Sequence, residues 1–172
     1  MLSKTGLICA AAFVGLATPA VAAAPTDPQI AHIAYTAGNI DIAAGKQALA
    51  KSHNKAVRSF AEEMVRDHTA VNDKALALVK RLHVTPEANP TSASLSKQAD
   101  ATLKRLSRLK GAAFDRAYVD NEVAYHKTVN GALATTLIPN AKNAELKSLL
   151  ETGLTLFREH QAHAEQVAKE LK

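Results

Sequence analysis

Between residues 57 and 82 one seam recurs in an unbroken alternation of four and three: Val57, Ala61, Met64, His68, Val71, Ala75, Leu78 and Leu82. That spacing puts every member on one face of a helix and is the seam by which helices pack side by side. It predicts a long helix over residues 53–82, with Ser52 as its N-cap. Most helical stability comes from packing such a face against partners, so the rest of the chain has to supply them. His68 is the seam's only polar member.

The partners are legible on both sides. Over residues 28–50, Ile30, Ile33, Ala37, Ile40, Ala44 and Ala48 fall at helical spacing, and Asp41 lies beside them among Ala37, Gly38, Ala44 and Gly45. Residues that small let a neighbouring helix approach closely. Pro86 and Pro90, with Asn89, Thr91 and Ser92, interrupt the pattern. Residues 94–109 then read as a short basic amphipathic helix on Leu95, Leu103, Leu106 and Leu109. After Gly111 a helix over residues 114–133 carries Glu122 and His126 where leucines would be ordinary, and Pro139-Asn140 closes it. The last helix, residues 142–171, has the seam Leu146, Leu149, Gly153, Leu156, His160, His163 and Val167. Sustained period-two alternation, a Gly-rich phosphate loop and internal repeats are all absent from the sequence.

The expected architecture is all-α: a four-helix bundle whose long crossover, roughly thirty residues between helices 2 and 3, carries a short extra helix. If the crossover returns the chain to its starting end, helix 3 runs parallel to helix 2. At 1.5 Å per residue, Asp41, His68, Glu122, His126, His160 and His163 then lie about 12–22 Å below the end where helices 1 and 2 join. Polar intruders from four helices would share one broad layer.

Residues 1–22 read as a secretory leader, with Lys4, an apolar run over 6–17 and the cleavage motif Ala20-x-Ala22. The run is too short to span a bilayer. The mature domain is expected to be residues 23–172, starting near Ala23 and found in the periplasm or secreted. Cys9 falls inside the leader, so that domain has neither a disulfide nor a thiolate ligand. Removing Lys4 lowers the formal charge of +5 by one, and the remaining basic residues are interleaved with acidic ones among few aromatics. That pattern argues against nucleic-acid binding. No second apolar run approaches membrane-spanning length.

Burying ionisable groups on apolar stripes is costly unless each finds a partner. One reading makes His68, Glu122, His126 and His160 ligands of a divalent transition metal, with Asp41 or His163 as an added ligand or an acceptor behind one. Imidazoles and a carboxylate suit zinc, iron, copper or nickel. The alternative is a non-catalytic structural or interaction module whose His/Glu network only fixes the bundle's register. Tyr118 and Tyr125 read as core aromatics whose hydroxyls could use Glu122. Asp115 sits in an expected first turn, and Arg116 is expected to pair on the surface. His32, His53 and His83 fall near helix ends, on the surface. No strand–turn–helix elbow presents a serine nucleophile, which argues against a hydrolase.

Three segments carry a resemblance: GNIDIAAGKQALAKSHNKAVRSFAEEMVRDH (residues 38–68), LKGAAFDRAYVDNEVAYH (109–126) and LTLFREHQAHA (154–164). They resemble the bacterial exported family catalogued as domain of unknown function 4142, regarded as ferritin-like. The resemblance spans nearly the whole mature chain and implies a ferritin-like four-helix bundle without implying an activity. Asp41 stands where the family usually has Glu, and Leu154-Thr155 where it usually has Leu-Pro. The ferritin di-iron pattern needs Glu-x-x-His on two helices. Here Glu122 and His126 are four apart, and neither Glu62 nor Glu63 stands three before His68.

Overall fold

The computed structural model describes residues 23–171. The expected leader, residues 1–22, lies outside the described residues. The chain forms α1 (Asp27–Lys51), α2 (Lys55–Arg81), α3 (Pro90–Ser107) and α4 (Gly111–Ala132). A π-helical turn (Leu133–Leu137), the short α5 (Ile138–Asn140) and α6 (Ala144–Glu170) follow. Among the described residues there is no strand, and no helix is long and apolar enough to cross a membrane.

Helix ends follow local chemistry. Asn54, not Ser52, caps α2, its side-chain oxygen accepting from Ala56 N at 2.9 Å and Val57 N at 3.2 Å. Ser52 instead ends α1, and its hydroxyl accepts from Asn54 N at 3.1 Å. Asn143 caps α6 in the same manner, accepting from Glu145 N and Leu146 N. Pro90, expected to break the pattern, opens α3 behind the Asn89 cap, because a first-turn proline loses no helical hydrogen bond. Pro139 does not stop its helix at once either. The preceding turn widens, with Ile138 N donating to Leu133 O, which relieves the clash between a proline ring and the carbonyl four residues back.

Long-range contacts fix the topology. Tyr125 donates to Ala37 O at 3.1 Å, so α4 runs antiparallel to α1. Arg116, expected to pair on the surface, donates to Leu171 O at 2.6 Å and sets α6 antiparallel to α4. Arg81 donates to Glu145 at 2.9 Å, setting α6 antiparallel to α2. The helices on each diagonal therefore run parallel, α2 with α4 and α1 with α6. The crossover lies along the outside of α1, where Gln47 donates to Leu103 O at 3.0 Å and Lys51 to Ser107 O at 2.9 Å. This is the ferritin-like bundle with its long crossover and extra helix.

α1 and α2 meet at glycines. A Cβ on Gly45 would stand 2.9 Å from Val65 Cγ2 and 3.1 Å from the Ala61 carbonyl oxygen. One on Gly38 would fall 2.4 Å from Asn72 Oδ1.

The core has two apolar halves. Phe60, Met64, Phe114, Tyr118 and Val119 anchor one, and Ile30, Leu133, Leu146, Leu150 and Phe157 the other. α6 differs in face from its expected seam. Leu146, Gly153, His160 and Val167 are buried, but Leu150, Phe157 and Ala164 replace Leu149, Leu156 and His163. A globular helix buries a stripe about 100° wide, broader than a two-per-heptad seam. Leu149 and Leu156 lie at its edge, half-buried.

Candidate metal centre

Between the two apolar halves lies a polar layer built by all four long helices. α1 supplies Asp41, α2 His68, α4 Glu122 and His126, and α6 His160, each at most 2% exposed. The three imidazole centroids form a nearly equilateral triangle: 5.7 Å between His68 and His126, 5.3 Å between His68 and His160, 5.5 Å between His126 and His160. One ring nitrogen from each lies within 4.8 Å of the others. Asp41, Glu122 and His126 form a second group within the same limit, so His126 belongs to both. His68 Nε2 is 3.5 Å from Asp41 Oδ2.

Hydrogen bonding assigns the imidazole protons. His126 Nδ1 lies 3.0 Å from the Glu122 carbonyl oxygen. A carbonyl only accepts, so Nδ1 carries the proton and Nε2 keeps its lone pair. His160 Nε2 lies 3.1 Å from Asp67 Oδ2, which leaves the lone pair on Nδ1. His126 Nε2 and His160 Nδ1 have no protein partner. Neither do both nitrogens of His68, both oxygens of Glu122 or Oδ1 of Asp41. A buried polar atom left unmatched costs about 1–3 kcal/mol. So many unmatched polar atoms in one layer, lone pairs of His126 and His160 among them, could hold a shared cation. The donor set is also chemically apt, since only neutral imidazoles and carboxylates face one another.

Burial governs the electrostatics. It pushes the His68 imidazole well below its usual value, aided by His126 and His160. It also lowers His126 to about 4, and lowers His160 against the opposing hydrogen bond to Asp67. All three rings are therefore neutral at neutral pH. Burial raises Glu122 to about 7. Asp41 is raised well above the carboxylate range by burial and then by Glu122 beside it. Two carboxylates this close in an apolar interior retain a proton until a cation displaces it.

His163 stands apart from this layer. Its Nδ1 is 2.6 Å from Glu63 Oε2, and its ring meets Phe60 edge-on at 5.3 Å. The acceptor behind a ring is instead Asp67, which the sequence reading did not single out. Arg66 donates to it at 2.7 and 3.0 Å and holds its carboxyl below the usual range, so it stays ionised beside His160. Its position immediately before His68 and four after Glu63 was the available signal. Phe157 was also missed; its ring stacks on His68 at 4.6 Å and 17°. Tyr125 uses Ala37 O rather than Glu122, and the Tyr118 hydroxyl has no protein partner. Asp115 is buried one turn deeper than expected because α4 begins at Gly111.

The family model for the domain of unknown function DUF4142 matches residues 15–167. The chain belongs to the DUF4142 family. Among solved structures this DUF4142 protein is similar to a presumed secreted protein, DUF305, from Streptomyces coelicolor. The likeness has a TM-score of 0.71 at 10% identity and covers 84% of this chain and 93% of that one. At that identity it shows the fold alone. Among curated proteins none matches. α6 runs through Leu154-Thr155 as one continuous helix, in accord with the missing proline.

Proposed function

We propose that this DUF4142 protein is an exported metal-binding protein that holds one divalent transition ion in its mid-bundle layer. His68, His126 and His160 are the nitrogen ligands and Glu122 the carboxylate ligand. Asp41, close beside Glu122, serves as a further ligand or acceptor in the loaded protein. The observation that carries this reading is the tautomer pattern. His126 and His160 each spend one nitrogen on an outer oxygen and keep the other unpartnered within the layer. Metal-bound histidines are oriented in the same way by the partner of their second nitrogen. A thiolate-free set of imidazoles and carboxylate suits zinc, ferrous iron, copper or nickel. His163 has its own partner in Glu63 and is assigned no ligand role.

Export rests on the leader read in residues 1–22 and agrees with the description of the DUF305 protein as secreted. The mature chain then starts near Ala23. The absence of a Glu-x-x-His pair turns the reading away from oxygen-activating di-iron chemistry and toward holding or handing on an ion.

A second reading, in which the layer only fixes the bundle's register, draws on the ring packing. His68 is stacked on Phe157 and tilted against both other imidazoles, as an aromatic core would be. Metal content separates the two. Untagged protein from cells grown with several metals is expected to carry about one equivalent of a divalent ion, removed by substituting His126. Metal-free protein that also binds none on titration would leave the structural module.

A further inference from the structure

On one side of the histidine layer the bundle is filled, with Phe60, Met64, Tyr118 and Val119 fully buried. On the other side it does not close. The π-helical turn widens α4 there, and Val71, Val129, Leu95 and Leu149 remain half-exposed although they pack on the second core half. Between them lies a cavity of about 840 Å³. Small-molecule sites commonly measure about 300–1,000 Å³.

The lining has two properties that limit its occupant. Among the described residues lining it, none is Asp, Glu, Lys, Arg or His. Its polar members are all uncharged: Thr26, Gln29, Asn89, Thr91, Thr136 and Asn140 gather toward one end of the bundle, and Asn72 and Thr128 lie farther in along α2 and α4. The opposite wall is Gly38, Gly153 and Phe157. Gly153 is buried, yet a Cβ there would meet only carbons of the Phe157 ring, at 3.4 and 3.7 Å. Its missing side chain leaves room that another residue would fill.

We infer that this cavity binds an uncharged, largely hydrocarbon small molecule. Its body lies among the leucines against Phe157, and a neutral hydrogen-bonding head reaches the threonines and asparagines at the bundle end. Apolar cavities take up apolar guests readily. An ionised head would find no charged side chain in this lining to partner it. The inference goes beyond metal binding and holds whether or not the histidine layer takes an ion.

The probe is N-phenyl-1-naphthylamine, a neutral fluorophore, titrated into EDTA-treated protein starting at Ala23 with its α-amino group acetylated. Ala23 lines the cavity, and a free α-ammonium there would attract an anionic probe. Saturable, blue-shifted emission near one equivalent is expected, at least tenfold tighter than binding of anionic cis-parinaric acid. Gly153→Leu, which projects into the cavity, is expected to weaken the neutral probe at least tenfold with the helical circular dichroism unchanged. If that variant loses helicity, Ala75→Leu on the α2 wall takes its place with the same expectation. Emission that never saturates would overturn the inference. So would equal or tighter binding of the anionic probe, or wild-type affinity in the folded cavity-filling variant.

Discussion

Asp67 accepts the Nε2 proton of His160 across the α2–α6 interface at 3.1 Å, and it is the only one of the two that reaches solvent, at 17% side-chain exposure against 0%. The pair links the surface to the histidine layer and fixes which His160 nitrogen is free. Asp67→Ala is expected to lower metal affinity about 10–100-fold, with the fold intact because Asp67 lies at the layer's edge. A competition titration with a chromogenic chelator reads the change. Unaltered affinity would mean that His160 needs no such orientation.

His126 belongs to both ligand groups, so its removal should be the most damaging to binding. Wild type is expected to gain about 2.7 kcal/mol of stability at a metal concentration a hundredfold above Kd. His126→Ala is expected to gain nothing. Denaturant melts in EDTA, then in zinc, copper and ferrous iron, check this. Superimposable wild-type curves throughout would remove the metal reading.

The metal-free protein has a pH signature. Glu122 titrates near 7 when folded, above its ordinary 4.5. The native state therefore holds its proton more tightly than the unfolded state. The stability this contributes is fully present below about 4.5 and lost as pH rises through about 7. His126 is displaced the other way, to about 4 from 6.5. Its contribution is present above 6.5 and lost as pH falls through about 4. In EDTA the urea midpoint of wild type is expected to fall relative to that of Glu122→Gln as pH rises from about 4.5 to 7, a difference from which the opposing imidazole contributions drop out. Metal should reverse it, since ligation needs the carboxylate ionised. A wild-type-minus-variant difference that stays constant over that window would place the titrating group elsewhere.

Met64 is fully buried in the first core half and Phe157 nearly so in the second. Met64→Ala is expected to cost about 2–5 kcal/mol and Phe157→Ala about 3–5 kcal/mol. Leu156→Ala, at the stripe's half-buried edge, should cost clearly less than Phe157→Ala. Equal losses at positions 156 and 157 in guanidinium melts would contradict the face assigned to α6.

Gly45→Ala tests the contact between α1 and α2. Alanine is the better helix former by about 1 kcal/mol. Here, however, its Cβ would press on Val65 and on the Ala61 backbone. A net loss of stability is expected by thermal melting, and a gain would show that the two helices can move apart.

Much of this was legible in the sequence, for a definite reason. The seam through Val57, Met64 and Leu78 has a period that only helices share, and Pro86 and Pro90 mark the crossover. The same period exposed His68, Glu122, His126 and His160, because an ionisable residue stands out on an apolar stripe. Asp67 escaped because it lies one residue off the seam, where an acid is ordinary. Phe157 escaped because Leu156 fitted the alternation equally well, and a wide stripe leaves one-residue choices open. His163 was included for the mirror-image reason: it fits the spacing, but Ala164 is the residue turned inward. The cavity has no periodic signature. It depends on a widened turn before Pro139 and on what Gly153 lacks, and neither shows as a pattern of hydrophobicity.

The crossover along α1 has a consequence for timing. His68 is in place on the second long helix, but the rings it faces arrive only after the chain has travelled back along the bundle and down again, and His160 arrives on α6, the last helix of the bundle. No hairpin or half-length fragment contains the triangle. If the layer takes an ion, an emerging chain cannot hold it in the final geometry before α6 docks, so loading would report that all four long helices are in place.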